Sequence, residues 1–443
     1  MNRSVVILAL AFGVVGCATS VDQAPADWGN WRGPGHRGQA PSGNPPVRWS
    51  EQENILFKTA LPGDGGSSPI VWKDRIYLTT GIETEQTGTP KVILDPSGRR
   101  FSGPTPTRVH DYVLLAIDRH SGAVLWQKTV CSAVPHEGLH STMTQVAASP
   151  VTDGKFLYVH FGSRGLHCLD MEGQPVWSKD FGTMRTRREY GEASSPALHG
   201  NTLIINWDHE GDSFVVALDK RDGQELWRRS RDEVTSWSTP LILAVAGRLQ
   251  VVIPATGASR GYDLATGEVI WSCRGMTVNC IPTPIYADGL VYLMSGYRGQ
   301  MLQAVRLEGA SGDITGTPQV VWEHRKATSY VPSGLLVGNE FYFLRGNTAV
   351  LSCLDAKTGK EYYGGQRLRG LRNIYSSPVG VGDRFYITDR EGATKVIRAG
   401  TTYGEIGFNK LDDIFDATAA IVGDRIYMRG RRHLYAIAAE TSR

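Results

Sequence analysis

The pentapeptide His136-Glu137-Gly138-Leu139-His140 is the stretch whose residue types and spacing most directly suggest chemistry. Two histidines four residues apart, with a glutamate beside the first, hold zinc and activate water when a helix projects them from one face. Pro135 precedes the motif, Gly138 interrupts it and the surrounding sequence is rich in β-forming residues, so no helix is expected. We interpret the stretch as a polar loop and predict neither a metal site nor a catalytic residue; metal binding by the two histidines alone is the lesser alternative.

Cys17 has the sequence context of a lipidation site. An apolar run from Val5 to Val15 follows Arg3, and Val14-Val15-Gly16 stands immediately before the cysteine. The run has the length of a secretory signal and is too short to span a bilayer, so we predict a lipoprotein signal peptide over residues 1–16. Diacylation of Cys17 would then anchor a Pro-, Gly- and Ser-rich tether over residues 17–45. An ordinary signal peptide with a chance cysteine is the alternative.

The five remaining cysteines do not predict a disulfide framework. Their number is odd, which argues against complete pairing. Cys168 and Cys353 occupy equivalent places in apolar segments, as expected of small core residues. Pairing of Cys273 with Cys280 is left open, because the segment between them is short and its geometry is not given by the sequence.

The elements that must position these residues come from an internal repeat. Within the stretch 194–229, short apolar segments alternate with Gly- and Asp-containing turns, as in a four-stranded meander. Its Ser-Ser-Pro opening recurs at intervals of 44 residues, as between Pro196, Pro240 and Pro284. The eight starts end at Pro69, Pro150, Pro196, Pro240, Pro284, Gly334, Pro378 and Ala419. Such a period predicts an all-β, eight-bladed β-propeller of four-stranded antiparallel blades over residues 46–438, with an insertion near residues 81–110 in the first blade.

The end of each repeat predicts how the ring closes. An Asp-x-x-x-Gly turn leads to a tryptophan in several copies, such as Trp126 and Trp227, and this large apolar side chain can fill the gap between blades. The last copy, residues 417–437, ends without one, whereas Trp49 precedes the first copy. We therefore predict that an N-terminal strand completes the last blade, that Trp49 supplies its missing aromatic residue, and that no edge is left free.

This repeat, Ala-x-Asp-x-x-Thr-Gly-x-x-x-Trp, resembles the pyrroloquinoline-quinone (PQQ)-type propeller repeat of quinoprotein dehydrogenases and of BamB-type outer-membrane assembly lipoproteins. The opening Asp27-Trp28-Gly29-Asn30-Trp31-Arg32-Gly33-Pro34 is similar to the start of a large bacterial subfamily of such propellers. Resemblance to the dehydrogenases implies an adjacent-cysteine disulfide over the quinone and an acidic calcium site. The sequence contains no Cys-Cys pair and no acidic set that matches, so no cofactor is expected; PQQ remains possible but unsupported by a motif. An enzyme is accordingly the less favoured interpretation.

One face of the predicted propeller carries the candidate site. In a meander, the hairpins between strands 2 and 3 share a face with the crossovers between blades, and on this face the loops depart most from the repeat. The residues predicted to form a ligand or partner surface there are Arg185, Arg187, Arg188, Trp207, Asp208, His209, Glu210, Trp237, Tyr297, Arg298, Arg390 and Arg431. Tyr190, Tyr330, Tyr375 and Asp416 are expected on the same face.

Function follows from this organisation only in outline. A net charge of +3 is too small to favour nucleic acid. The favoured hypothesis is a monomeric, non-catalytic envelope scaffold that binds protein partners, held on the periplasmic side of the outer membrane by its lipid alone. The alternatives are a PQQ-dependent dehydrogenase or other enzyme using the propeller mouth, and a sensor that binds carbohydrate or another small ligand.

Overall fold

The computed structural model describes residues 27–90 and 106–439 as eight sheets arranged around an axis. It confirms the all-β, eight-bladed propeller of four-stranded antiparallel blades. The predicted signal peptide and Cys17 lie outside the described residues. Within them, the helical elements are short 3₁₀ turns at Pro34–His36, Gly162–Arg164 and Arg187–Glu189, and none could cross a bilayer.

The innermost strands of neighbouring blades contact one another around the axis, and each chain segment then moves outward. Blade 1 contains Ile70–Trp72, Arg75–Thr87, Arg108–Asp118 and Val124–Ala133, and blade 2 contains Val151–Thr152, Phe156–His160, Leu166–Asp170 and Pro175–Lys179. Blade 3 contains Ala197–His199, Thr202–Trp207, Phe214–Asp219 and Glu225–Ser230, and blade 4 contains Leu241–Val245, Arg248–Ile253, Ser259–Asp263 and Val269–Cys273. The second and third strands of blade 1 are long, as the predicted insertion requires.

The remaining blades follow the same order. Blade 5 contains Ile285–Ala287, Leu290–Ser295, Met301–Arg306 and Val320–His324, and blade 6 contains Leu335–Val337, Glu340–Leu344, Val350–Asp355 and Glu361–Arg367. Blade 7 contains Val379–Val381, Arg384–Thr388, Ala393–Arg398 and Gly404–Lys410, and blade 8 contains Ala420–Val422, Arg425–Arg429, His433–Ile437 and the N-terminal strand Ile55–Ala60. Two short strands, Gln39–Ala40 and Gly312–Asp313, extend the sheets of blades 7 and 4.

The N-terminal strand closes the ring, as predicted, but with a different aromatic residue. Ile55–Ala60 pairs antiparallel with His433–Ile437, and Phe57 stands opposite Ala436. Trp227 stands opposite Ala217 in the same place in blade 3. Phe57 therefore supplies the aromatic residue of blade 8, and the assignment of Trp49 to that blade is wrong.

Trp49 instead completes blade 7. It packs on Tyr386 with ring centroids 6.0 Å apart, the distance that separates Tyr77 and Trp126 in blade 1. The outer strand of blade 7 has Gly407 at the tryptophan position, and a Cβ there would lie 2.3 Å from the Val47 carbonyl oxygen. Because Gly407 has no side chain, the N-terminal segment can lie against the outer strand of blade 7 and place the Trp49 ring where the tryptophan of the other blades lies.

A ring of hydroxyl groups explains why the Ser-Ser-Pro opening recurs. The backbone N–H of Ser68 donates to Ser149 Oγ at 2.8 Å, and the N–H of Ser149 donates to Ser195 Oγ at 2.9 Å. Equivalent bonds join blades 5 to 6, 6 to 7, 7 to 8 and 8 to 1. At six of the eight junctions, one blade therefore satisfies a buried N–H of its neighbour close to the axis.

Residues 28–40 cross the face that carries the 1–2 and 3–4 turns, here called the turn face. Trp28 bridges to Val71 in blade 1, and Trp31 Nε1 donates to Thr239 Oγ1 at 3.2 Å. Arg32 is 1 % exposed and donates to the carbonyl oxygens of Gly334 and Pro378. The segment therefore plugs the central channel on this face, and its two tryptophans dock on the propeller.

Candidate functional site

The central channel widens on the opposite face, where the crossovers lie, into a cavity of about 350 Å³ that we call the axial cavity. Eight of its lining residues occupy the same place in each repeat, three residues before the proline position: Gly66, Ala147, Ala193, Trp237, Ile281, Val331, Tyr375 and Asp416. The chain enters the inner strand of each blade here, so these positions face the axis. At this position blades 1–3 contribute only glycine and alanine, which leave more room than the larger side chains of blades 4–8.

Aromatic side chains form the walls of the axial cavity. Tyr297 and Tyr330 stack with centroids 4.7 Å apart, and His140 lies edge-on to Tyr190 at 5.1 Å. Trp237 Nε1 donates to the Gly191 carbonyl oxygen at 2.7 Å, which fixes the indole ring. The cavity is therefore bounded by rings held in place by hydrogen bonds and by contacts with one another.

Most of the charges at the rim belong to one network of ion pairs around Asp416. Asp416 accepts hydrogen bonds from both Arg390 and Arg431, the latter at 3.0 Å. The Arg390 guanidinium also lies 4.7 Å from the centroid of Tyr375. Arg298, which is exposed, lies 5.5 Å from the centroid of Tyr297. Arg431 also lies 3.7 Å from Asp64, so two carboxylates offer acceptors and two arginines offer donors.

A smaller enclosed space of about 40 Å³, here called the side chamber, adjoins the axial cavity and shares Ala147, Ala193 and Trp237 with it. Its polar walls include His136, Glu137, His160 and Glu192. A volume of this size holds a few water molecules at most.

The His136–His140 stretch is a loop, as predicted, and it connects the two spaces. His136 Nδ1 accepts a hydrogen bond from Arg164 at 2.6 Å and Nε2 donates to the Met184 carbonyl oxygen at 2.7 Å, while burial lowers the pKa of this histidine. Glu137 accepts hydrogen bonds from the N–H and hydroxyl of Thr186. Burial and the nearby Glu192 raise the pKa of Glu137 to about 8. Among the described residues, no three His, Cys, Asp or Glu side chains are placed to hold a metal ion.

Three of the predicted site residues are buried in the hairpin of blade 3. Asp208 forms an ion pair with Arg231, Nε to Oδ1 2.6 Å, in which both side chains are fully buried. Trp207 stacks on Phe214 with centroids 5.7 Å apart. His209 Nδ1 accepts from the Arg185 N–H at 3.1 Å and its Nε2 donates to the Asp212 carbonyl oxygen at 3.2 Å, and burial lowers its pKa. These side chains fix the loop and do not line the axial cavity.

The other predicted residues divide between the loops and the cavity. Glu210 accepts from Thr235, Arg185 donates to the Glu210 carbonyl oxygen, and Arg188 is exposed with a positive φ of 52°. The Arg187 N–H donates to Thr235 Oγ1. Trp237 and Tyr297 line the axial cavity, and Arg298, Arg390 and Arg431 lie at its rim.

Sequence reasoning did not single out the residues that give the cavity its space. Gly66, Ala147 and Ala193 are small and carry no chemical signal of their own. Comparing the third position before each proline across the eight repeats would have found them, because that position faces the axis in each blade.

All five described cysteines are free thiols, so Cys273 and Cys280 are not paired. Cys168 and Cys353 are fully buried, as expected of core residues.

The family model described as "Outer membrane protein assembly factor BamB" matches residues 47–205 and 109–364. The chain belongs to this family of PQQ-like propellers. The BamB of Francisella salina is 27% identical over 106 residues, a match that covers 24% of this chain and 18% of that protein. The chain therefore aligns with less than a fifth of the length of this curated relative.

Solved structures share the fold. BamB from Moraxella catarrhalis superposes with a TM-score of 0.57 at 14% identity, over 86% of this chain and 99% of that one. The quinohemoprotein alcohol dehydrogenase ADHIIG from Pseudomonas putida HK5 gives 0.58 at 10% identity, over 94% and 81%. At these identities the likeness concerns the fold alone.

The lining of the axial cavity does not match the quinone site that the resemblance to dehydrogenases implies. Asp416, the carboxylate among its lining residues, is engaged by two arginines, and the described lining contains no cysteine. We derive no redox chemistry for this cavity, and the expectation that no cofactor is bound stays a prediction.

Proposed function

We propose that this protein is an exported envelope scaffold that binds a protein partner in outer-membrane assembly. The observation that carries the proposal is the BamB family match, which extends over residues 47–364. The lipid at Cys17 and a position on the periplasmic side of the outer membrane belong to the same proposal, supported by the sequence context of Cys17 and by the BamB relatives.

The fold favours the crossover face for the partner. The turn face is crossed by the N-terminal segment, which contacts blades 1, 4, 6 and 7 there. The crossover face instead presents the exposed arginines Arg188 and Arg298; Arg372 is also exposed but lies 3.8 Å from Glu391. Exposed charges of one sign guide association with a partner of opposite charge and set its register.

Charge reversal on each face tests the proposal. The full chain, expressed in its own envelope, is used to capture partners by mild cross-linking and affinity purification. We expect Arg188→Glu with Arg298→Glu to lose most of the captured protein, because both side chains are exposed on the crossover face. The matched control is Arg221→Glu with Lys357→Glu, two exposed residues in 3–4 turns. Equal loss in both variants would contradict the choice of face, and a wild type that captures no envelope protein would contradict the scaffold.

A further inference from the structure

We propose that the axial cavity binds a neutral sugar, with a pyranose ring packed against its tyrosine and tryptophan walls. The proposal concerns a small ligand at the centre of the ring and does not depend on a protein partner at the exposed loops.

The size of the cavity favours a small ligand. Ligand sites commonly enclose about 300–1,000 Å³. A cavity of about 350 Å³ lies at the lower end of this range, so it suits one or two sugar rings better than a protein loop. The plug formed by Trp31 and Arg32 blocks the channel on the turn face, so a ligand would enter and leave through the crossover face.

The walls have the chemistry that a sugar ring requires. Tyrosine and tryptophan offer flat apolar faces together with a polar tip. The C–H groups on one side of a pyranose can pack on such faces while the hydroxyl groups at its edge reach hydrogen-bonding partners. Tyr190, Tyr297, Tyr330 and Tyr375 bring four such rings to a single cavity, and all four are only half-buried.

The charge of the cavity argues for a neutral ligand. Asp416 is held by Arg390 and Arg431, and Arg431 also lies 3.7 Å from Asp64 Oδ1. Two carboxylates therefore face two guanidinium groups, and Asp416 can accept from a sugar hydroxyl without presenting an unbalanced charge. Thr142 and His140 add further hydrogen-bonding groups to the lining. An anionic or cationic ligand would have to compete with the existing ion pairs.

Calorimetric titration of the folded chain tests this proposal. The probes are glucose, galactose, mannose and N-acetylglucosamine, their β-1,4- or α-1,4-linked disaccharides, and oligosaccharides of up to about six units, each at up to about 10 mM. We expect saturable binding of at least one series. Affinity that stops rising after two units indicates that the cavity takes a free sugar or a chain end. The methyl glycoside, in which the anomeric hydroxyl is blocked, separates the two: it should lose binding if the cavity recognises a free reducing sugar and keep binding if the cavity recognises the non-reducing end of a chain.

Variants of the walls locate the binding. We expect Tyr297→Ala and Tyr375→Ala each to weaken the affinity by about tenfold or more. Tyr362→Ala, on the outer strand of blade 6, is the matched control and should leave the affinity within about twofold. Tyr297→Phe keeps the ring and should retain most of the binding, which guards against loss through misfolding, and thermal unfolding checks each variant. Absence of binding by every probe, or binding that survives both alanine variants, would overturn the proposal.

Discussion

Asp208 and Glu137 show two ways in which this protein accommodates a buried carboxyl group. Asp208 forms a fully buried ion pair with Arg231, so the adjacent guanidinium compensates its charge. Glu137 lies near Glu192 and Glu189, and its contacts come from Thr186, so burial raises its pKa to about 8. A carboxyl group with such a pKa carries a proton at neutral pH.

Replacing Glu137 should make stability less dependent on pH. The folded pKa of about 8 lies above the ordinary value of 4.5, so the native state holds a proton that the unfolded chain releases. Stability from this group is therefore greatest below about pH 4.5, falls as the pH rises towards 8 and is constant above it. At pH 8 we expect the free energy of unfolding of Glu137→Gln, measured with urea, to exceed that of the wild type by on the order of 1–3 kcal/mol. Near pH 5 this difference should disappear.

The exposed Glu268→Gln is the control for this experiment and should show no such dependence. An equal difference between Glu137→Gln and wild type at both pH values would mean that Glu137 does not hold the proton.

At the scale of the element, the N-terminal segment supplies aromatic residues to two blades. Phe57 lies within a strand of blade 8, whereas Trp49 reaches blade 7 from a loop, and both end up in one apolar cluster. The Trp49 N–H donates to Asn409 Oδ1 at 2.8 Å, which ties this loop to the outer strand of blade 7. The segment therefore joins the last two blades by side chains as well as by a strand.

Trp49→Ala should destabilise the propeller by about 3–5 kcal/mol, because it removes a buried large aromatic residue and leaves a cavity. The matched control is Leu56→Ala, on the closing strand but 44% exposed, which should change stability by no more than about 0.5 kcal/mol. Urea unfolding followed by circular dichroism measures both. A Trp49→Ala variant as stable as the Leu56→Ala variant would show that blade 7 does not need this ring.

The blades could be predicted from the sequence because the repeat is local. In blades 1–7 the four antiparallel strands and their turns follow one another along the chain, in units of about 44 residues in most copies, and the turn glycines mark the boundaries. The placement of Trp49 was missed because it depends on Gly407, more than 350 residues away, whose lack of a side chain has no meaning until the two segments meet.

For the candidate site, the sequence predicted the correct face of the propeller but not most of the residues that line the cavity. Trp207, Asp208 and His209 stand out in the sequence as an unusual hairpin, but Arg231 and Phe214 turn two of them inward. The axial cavity brings together residues from eight repeats, and its space comes from alanine and glycine, which a search for reactive groups passes over.

For the whole molecule, the ring is held together close to its axis. Hydroxyl groups from the Ser-Ser-Pro starts join neighbouring blades, and Arg32 fills the channel below them with its guanidinium bonded to carbonyl oxygens. Burial lowers the pKa of Arg32 to about 9. The propeller therefore has a solid end and an open end.

Cys17→Ser should release the protein from the membrane fraction. The prediction rests on the apolar run that ends at Val14-Val15-Gly16 before this cysteine, because diacylation gives lasting attachment to a bilayer. Fractionation of cells expressing the full-length chain, with immunoblotting of membrane and soluble fractions, measures the outcome. A wild type found in the soluble fraction at the same level as the variant would contradict lipidation.

With Cys17 lipidated as proposed, the docking of Asp27 would give the propeller a direction relative to the membrane. Asp27 Oδ1 accepts from the N–H of Lys73, in the 1–2 turn of blade 1, so the chain reaches the propeller at its solid end. Nine residues lie between Cys17 and Asp27, so these two residues are ten steps apart along the chain and at most about 35 Å from each other. With the proposed lipid in the bilayer, the solid end would be held close to the headgroups, and the open end could point into the periplasmic space. The axial cavity would then open on the side of the propeller that faces away from the membrane, where it is accessible to periplasmic solutes and to surfaces on that side.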